Sequence, residues 1–156
     1  MSAVQIRAAD PADADAIAAT LREAFLPFEP LYTAASFEAT TPAAATLRAR
    51  WTEGPVWVAI CEREVVGTVA AVPRPNELYV RSMAVLPSAQ GYGVGRELLN
   101  TVEEFALGRG YRRMALSTTP FLDSAIRLYQ RHGFTTVGES DLFGTPLLLM
   151  VKHLRG

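Results

Sequence analysis

The sequence contains too few cysteines and histidines for a disulfide or a typical metal site. Its one cysteine, Cys61, has no second thiol with which to pair. No histidine flanks it on its predicted strand, so we interpret it as a small buried residue rather than a nucleophile. The two histidines, His132 and His153, lack the spacing to acidic residues that zinc sites and hydrolase triads need. We predict a surface or helix-end position for each, and no metal site.

The chain also has no excess of one charge and no long apolar run. Its 15 basic and 16 acidic side chains give a net charge of −1, which excludes a broad basic surface for nucleic acid. It has no run of about 18 apolar residues, the length of a membrane-spanning helix. Residues 1–7 lack the apolar segment of a signal peptide. We therefore expect a cytoplasmic protein that binds neither nucleic acid nor membranes.

What the chain does contain is the composition of a globular domain. Of its 156 residues, 49% are hydrophobic and 20% are charged, which is ordinary for a folded soluble chain. A chain of this length buries roughly 70% of its unfolded surface when it folds as one unit. We expect a single domain spanning residues 1–156.

In the N-terminal half, hydrophobic periodicity predicts a βα unit followed by a second helix and a hairpin. Asp10-Pro11 is typical of a helix start, and the Val- and Ala-rich runs are typical of paired strands. The aromatic side chains of the irregular segment 27–55 are predicted to be core, with the lining of a substrate cleft as the alternative. The predicted elements are a strand over 4–8, helices over 11–25 and about 42–51, and strands over 56–60 and 65–72.

In the C-terminal half, the pattern predicts a strand, a glycine-rich loop, a helix and a parallel strand joined by a right-handed crossover. A further helix is expected to open at Pro120 with Thr119 as its N-cap. The predicted strands are 78–86, 114–116, 134–137 and 147–151, with a turn over 138–146 and a helix from Val94. Strict alternation along the first of these strands would place Glu77, Tyr79, Arg81, Met83 and Val85 on one face.

The glycine-rich loop indicates a bound phosphate ester. Gly91, Gly93 and Gly95 remove the Cβ atoms that would keep an anion from the backbone, and the following helix directs unpaired N–H groups to the same place. A nucleoside triphosphate loop would need lysine and then serine or threonine where the chain has Arg96-Glu97. A dinucleotide fingerprint would need a third glycine at position 96. The loop therefore matches neither the nucleoside triphosphate motif nor the dinucleotide motif.

Two segments resemble signatures of the GNAT superfamily of N-acyltransferases. Gln90-x-x-Gly93-x-Gly95 resembles its acyl-CoA-binding signature, and a second segment, 125–134, carries Ala-x-x-Leu-Tyr-x-x-x-Gly-Phe about 30 residues later. The resemblance covers residues 77–153 well. It implies a mixed α/β fold, with a mostly antiparallel sheet, a central parallel β-loop-α-β unit and flanking helices.

The resemblance also implies a cofactor, acetyl-CoA, and the residues that hold it. It places Tyr129 as the acid that protonates the CoA sulfur and the Val85 N–H as the donor to the thioester carbonyl. The expected cofactor-binding residues are Met83, Ala84, Val85, Gln90, Gly91, Tyr92, Gly93, Val94, Gly95 and Arg96.

The sequence departs from the family pattern at two positions. Leu122 stands where relatives often have a cofactor-contacting asparagine, so Asp123 or Ser124 would have to supply the polar contact. Tyr79 stands where relatives often have a glutamate base. Glu77, two residues earlier, is therefore the first candidate for deprotonating the amine, either directly or through a water molecule.

The function that the resemblance implies is direct transfer of an acetyl group from acetyl-CoA to a primary amine. The acceptor would be a small molecule, or an amino terminus or lysine of a protein. The alternative is a CoA-binding or acyl-CoA-sensing module without turnover. A homodimer is left open, because the apolar strand 147–151 either lies inside the sheet or pairs between subunits.

Overall fold

One seven-stranded sheet forms the centre of the fold in the computed structural model, which describes residues 2–155. Its strand order is β1-β2-β3-β4-β5-β7-β6, and every neighbouring pair is antiparallel except the parallel pair β4 and β5. This confirms the mixed, mostly antiparallel architecture that the resemblance implied. The strands are β1 (Gln5–Ala8), β2 (Val56–Cys61), β3 (Glu64–Pro73), β4 (Leu78–Val85), β5 (Arg113–Thr118), β6 (Thr135–Leu142) and β7 (Thr145–His153).

The helices cover both faces of the sheet. Side chains of α4 pack on one face with Trp57, Leu78 and Met114, whereas α1 and α3 pack on the other face with Val58 and Ala84. Alternate residues of one strand, such as Trp57 and Val58, therefore enter opposite layers of the core. The helices are α1 (Ala14–Phe25), α2 (Ala34–Thr40), α3 (Ala44–Ala49), α4 (Val94–Gly108) and α5 (Asp123–Arg131).

Strand β4 carries a bulge that the sequence did not predict. Ser82 adopts a left-handed φ of 53°, and the register with β3 shifts between Thr68 and Ala70. One extra residue in β4 reverses the alternation. Met83 and Val85 consequently pack on the α4 side with Leu78 and Val80, whereas Ala84 faces α1. The prediction that Tyr79 and Arg81 share a face with Met83 and Val85 was wrong for this reason.

The parallel pair opens almost at once. In the part of the chain that the structure describes, β4 and β5 pair at Leu78 with Met114 and at Tyr79 with Ala115, and nowhere further along. The last six residues of β4 therefore diverge from β5. This divergence creates a gap in the middle of the sheet, directly before the glycine-rich loop.

Three predicted boundaries were wrong. Helix α2 replaces irregular chain within segment 27–55. Helix α5 begins at Asp123, with Leu122 as its N-cap, instead of at Pro120. The predicted turn over 138–146 is instead a two-residue turn at Phe143-Gly144, flanked by long paired strands. Strand β6 is an exposed edge strand. Its polar residues resemble turn residues because neither of its faces is deeply buried.

Strand β7 lies between β5 and β6, so the first of the two alternatives for this apolar segment is correct. Its main-chain groups pair with neighbours on both sides. Among the helices within residues 2–155, none combines the length and the apolar character needed to cross a membrane.

Candidate active site

A cleft of about 1120 Å³ opens where β4 ends. Its walls come from the end of α1, from the glycine-rich loop with the start of α4, and from α5. A volume near or above 1000 Å³ is at the upper end for small-molecule sites, so the cleft suits a large cofactor. Among the residues predicted for the site, those that line the cleft are Met83, Ala84, Val85, Gln90, Gly91, Tyr92, Gly93, Val94, Gly95, Arg96 and Tyr129.

The glycine-rich loop presents backbone N–H groups to the cleft. Gly93 is the N-cap of α4 and has a left-handed φ of 79°, which glycine adopts without strain. No side chain within residues 2–155 caps this helix end. The first N–H groups of α4 are therefore available to a ligand, and the positive end of the helix dipole points at the same place. This is the arrangement that binds phosphate groups.

Gly95 also has a packing role that the sequence did not predict. A Cβ atom added at Gly95 would lie 2.7 Å from Cδ2 of Leu128 and 3.5 Å from Cε of Met83. Glycine at this position therefore allows α4 to approach α5 closely. Packing between two walls of the cleft thus gives a reason for glycine here that is separate from its predicted contact with the cofactor, which stays a prediction.

The backbone of Val85 faces the gap between β4 and β5. The N–H of Leu86 donates to the Val66 carbonyl at 2.8 Å, and Val85 is the next residue along the strand, opposite Gly67. Because successive N–H groups of an antiparallel strand point in opposite directions, the Val85 N–H points away from β3. It is directed into the gap, where β5 no longer pairs with β4.

Gln90 connects the loop to this strand end. Its side-chain amide donates to the Val85 carbonyl at 3.2 Å. The bond ties the loop to the end of β4, so both are held in a fixed relation. Asp123 and Ser124, the two candidates to replace the missing asparagine, both line the cleft, as does Leu122.

Tyr129 lies on α5 at the opposite wall and is 8% exposed. Its ring packs edge-on against Phe134 with centroids 6.0 Å apart. Burial, and then the nearby Tyr32 and Tyr79 side chains, raise the pKa of Tyr129 to about 12. The hydroxyl is therefore protonated at neutral pH, and it can donate a proton.

The structure does not bring Glu77 to the cleft. Its carboxylate pairs with Arg113 at 2.6 Å and with Arg74 at 3.6 Å, next to the start of β4. Glu77 precedes Val85 by eight residues, which corresponds to about 26 Å along an extended strand. Direct proton abstraction beside Val85 is incompatible with this distance. Tyr79, at the position of the family's glutamate, donates a hydrogen bond to Ser117 at 2.9 Å.

His132 lines the cleft, which the sequence did not predict. It does lie at a helix end, as the C-cap of α5, but its side chain is 7% exposed, so the surface alternative was wrong. The Lys152 ammonium can only donate, so Nδ1 accepts from it at 3.3 Å and Nε2–H donates to Asn100 Oδ1 at 2.9 Å. Burial and then the charge of Lys152 lower the pKa of His132, whereas Glu103 raises it. These partners lie 20 or more residues away in the sequence, so no local sequence pattern predicts the burial of His132.

Both alternatives for the aromatic residues of segment 27–55 hold, for different residues. Phe28 lines the cleft and stacks on Phe121 with centroids 6.3 Å apart. Tyr32 and Phe37 are buried, with Tyr32 edge-on to Phe121 at 4.9 Å. Together these rings form an apolar wall next to Tyr129.

Comparisons with known proteins agree with this geometry. The chain is 38% identical over 90 residues to human N-acetyltransferase 8B, a match that covers 54% of this chain and 40% of that protein. The chain thus spans less than half of that curated relative.

Two solved structures share the fold. The Salmonella typhimurium protein yncA, solved with its cofactor acetyl-CoA, has a TM-score of 0.76, 27% identity and coverage of 99% of this chain and 95% of that one. The PaiA N-acetyltransferase of Thermoplasma acidophilum, solved with coenzyme A, has a TM-score of 0.84 with 16% identity, covering 98% and 100% of the two chains.

The family model described as the acetyltransferase (GNAT) family matches residues 18–134. That range contains most of α1, the diverging β4, the glycine-rich loop and Tyr129, which contribute to the cleft. The chain therefore belongs to the GNAT acetyltransferase family.

Proposed function

We propose that this protein is an acetyl-CoA-dependent N-acetyltransferase that acts by direct transfer in a complex with both substrates. The observation that carries the proposal is the cleft, because it joins an uncapped helix N-terminus, an unpaired strand end and a protonated tyrosine. The proposed acceptor is a primary amine of a small molecule or of a peptide or protein.

The residues present fit the cofactor. The N–H groups at the start of α4 suit the pyrophosphate, and Arg96 lines the same part of the cleft with a positive charge. The gap beside Met83, Ala84 and Val85 leaves backbone groups for the amides of the pantetheine arm. When bound, acetyl-CoA would supply the thioester carbonyl that accepts the amine.

Each wall of the cleft has a proposed task. The Val85 N–H donates a hydrogen bond to the thioester carbonyl oxygen, which draws electrons from the carbonyl carbon. The amine nitrogen forms the new bond to that carbon, and the carbon–sulfur bond breaks. The Tyr129 hydroxyl gives its proton to the departing sulfur. The amine gives its proton to water in the cleft, because Glu77 lies beyond direct reach, and Tyr129 regains a proton from water after the thiol has left.

The test is thiol release on mixing the protein with acetyl-CoA and a panel of primary amines. Turnover that depends on the amine, with the acetylated amine identified by mass spectrometry, is the expected result. Hydrolysis of acetyl-CoA that no amine accelerates would contradict transfer.

A second candidate is a CoA-binding or sensing module without turnover. Two observations favour it: Tyr79 stands at the family's usual base position, where it bonds to Ser117, and the Glu77 carboxylate pairs with Arg113 and Arg74. This candidate predicts CoA binding heat with no thiol release for any amine. Cytoplasmic location and homodimerisation stay predictions from the sequence.

A further inference from the structure

A second, smaller cavity lies on the face of the sheet covered by α1 and α3. Its volume is about 30 Å³, and its walls include Ile17, Leu47 and Trp51, which are apolar. Arg50 and Arg81 line it together with Ser82 at the bulge of β4. Two cationic side chains therefore lie against a small and mostly apolar cavity.

Arg81 has a donor that nothing satisfies. Its Nη2 donates to Glu53 Oε1 at 2.5 Å. Its Nε is buried and has no hydrogen-bond partner within residues 2–155. Buried donors without a partner are rare in folded proteins, and they commonly mark a bound water or ion.

Arg50 has no counter-ion of its own. It forms no ion pair with any residue from Ser2 to Arg155, whereas Arg81 takes the nearby carboxylate of Glu53. Burial and then the charge of Arg81 lower the pKa of Arg50, and Glu53 acts in the opposite direction. Two guanidinium groups against one carboxylate leave one positive charge uncompensated at the cavity.

We propose that Arg50 and Arg81 bind a carboxylate group in this cavity. A water-sized group needs about 10–15 Å³ of such space, so the cavity accommodates about two, which matches the two oxygens of a carboxylate. Guanidinium groups present paired N–H donors in the plane that a carboxylate requires. The carboxylate would supply the acceptor that Arg81 Nε lacks and the charge that Arg50 lacks.

The carboxylate has two potential sources. Ser82 lines the cavity, and the next residue, Met83, lines the large cleft, so the two spaces lie on either side of the β4 bulge. One source is the acceptor itself, which would then be an amine that carries a carboxylate, such as an amino acid; this source rests on the proposed function. The other source is a free carboxylate from solution.

Acetate is the probe for the site, with acetamide as its uncharged control at constant ionic strength. We expect calorimetry to detect acetate binding and the Arg81 Nε–H resonance of the wild-type protein to shift in NMR spectra, whereas acetamide produces neither. Arg50→Gln is expected to weaken acetate binding at least tenfold. Arg81→Lys, which keeps the charge and lacks Nε, is expected to weaken it as well.

Arg48→Gln is the matched control, because Arg48 lies two residues before Arg50, in the last turn of α3, and pairs with the exposed Asp15. It should bind acetate as the wild type does. CoA binding and circular dichroism check that each variant is folded. Acetate that neither binds nor shifts the Arg81 resonance, or that binds equally to Arg50→Gln, would overturn the proposal.

Turnover of L-phenylalanine and of its carboxamide distinguishes the two sources of the carboxylate. If the acceptor supplies the carboxylate, Arg50→Gln raises KM for the acid at least tenfold and leaves KM for the amide unchanged. Equal KM values for both, together with acetate binding, assign the site to a free carboxylate. Failure of turnover with every amine would reject the proposed function, while the acetate result would stand independently.

Discussion

Tyr129 combines two properties that rarely occur together, since it is buried and yet lines a large cleft. Burial keeps its proton in place, and the cleft brings that proton to a ligand. We predict that Tyr129→Phe lowers kcat by about 10²-fold with little change in CoA affinity, as is usual for loss of a general acid. Steady-state kinetics and CoA calorimetry measure the two quantities.

Tyr111→Phe is the matched control for Tyr129→Phe, because it removes the same hydroxyl from a partly buried side chain that does not line the cleft. It should leave kcat within about twofold of the wild type, a change worth only a few tenths of a kcal/mol in the barrier. An unchanged kcat in Tyr129→Phe, or an equal loss in both variants, contradicts the role of Tyr129.

The raised pKa of Tyr129 leads to a prediction for the pH profile. An acid works while it is protonated, so a pKa of about 12 extends its working range upward from the ordinary value near 10. We expect kcat to show no falling limb between about pH 7 and pH 10. A decrease in that window that is present in the wild type and absent from Tyr129→Phe would assign a much lower pKa to this residue.

At the scale of elements, the contact between α4 and α5 sets the shape of the cleft. Gly95 lets Leu128 pack where a Cβ atom would come within 2.7 Å. We predict that Gly95→Ala destabilises the protein by about 1–3 kcal/mol, because overpacking forces side chains or helices apart. Urea unfolding measures this change, and a loss of CoA affinity should accompany it.

Gly108→Ala is the control on the same helix. No described atom lies within 4 Å of a Cβ placed there, so alanine should stabilise the protein by about 0.4–1 kcal/mol through its lower unfolded-state entropy. If Gly95→Ala were equally stabilising, the packing account of Gly95 would fail.

The elements whose ends are marked by proline or glycine, or that carry a family signature, were predictable from the sequence. Proline and glycine mark the end of β4 and the start of α4, and Gln90 and Tyr129 belong to patterns that identify the family. The bulge at Ser82 was not predictable, because a serine with positive φ carries no local signature. Nor was the position of His132, whose burial depends on Asn100 and Lys152 from two other elements.

The length of β6 was missed for a different reason. Its residues 139–141 are polar, and they form a strand only because β7 pairs with them along one edge. Pairing with β7 therefore outweighs the low β-propensity of these residues. The unpaired N–H of Val85 is likewise a property of the sheet, since it depends on where β5 diverges from β4.

At the scale of the whole molecule, the cleft divides the sheet into two parts. Strands β1 to β4 lie on one side, and β5 to β7 lie on the other, joined in the sheet by two residue pairs. The glycine-rich loop belongs to the first part and α5 to the second, and both line the cleft. A ligand held between them would connect the two parts.

CoA should therefore stabilise the fold as a whole. At a CoA concentration of about 100 times Kd, binding to the native state adds about 2.7 kcal/mol to the free energy of unfolding. For a chain of this size, that corresponds to a rise in Tm of about 5–11 °C, measurable by differential scanning fluorimetry. Pantetheine, which lacks the pyrophosphate, should produce a smaller shift because it leaves the α4 N–H groups unused. Since both the acetyltransferase and the binding-module proposals require a bound CoA, absence of both a Tm shift and a binding heat would reject the two together.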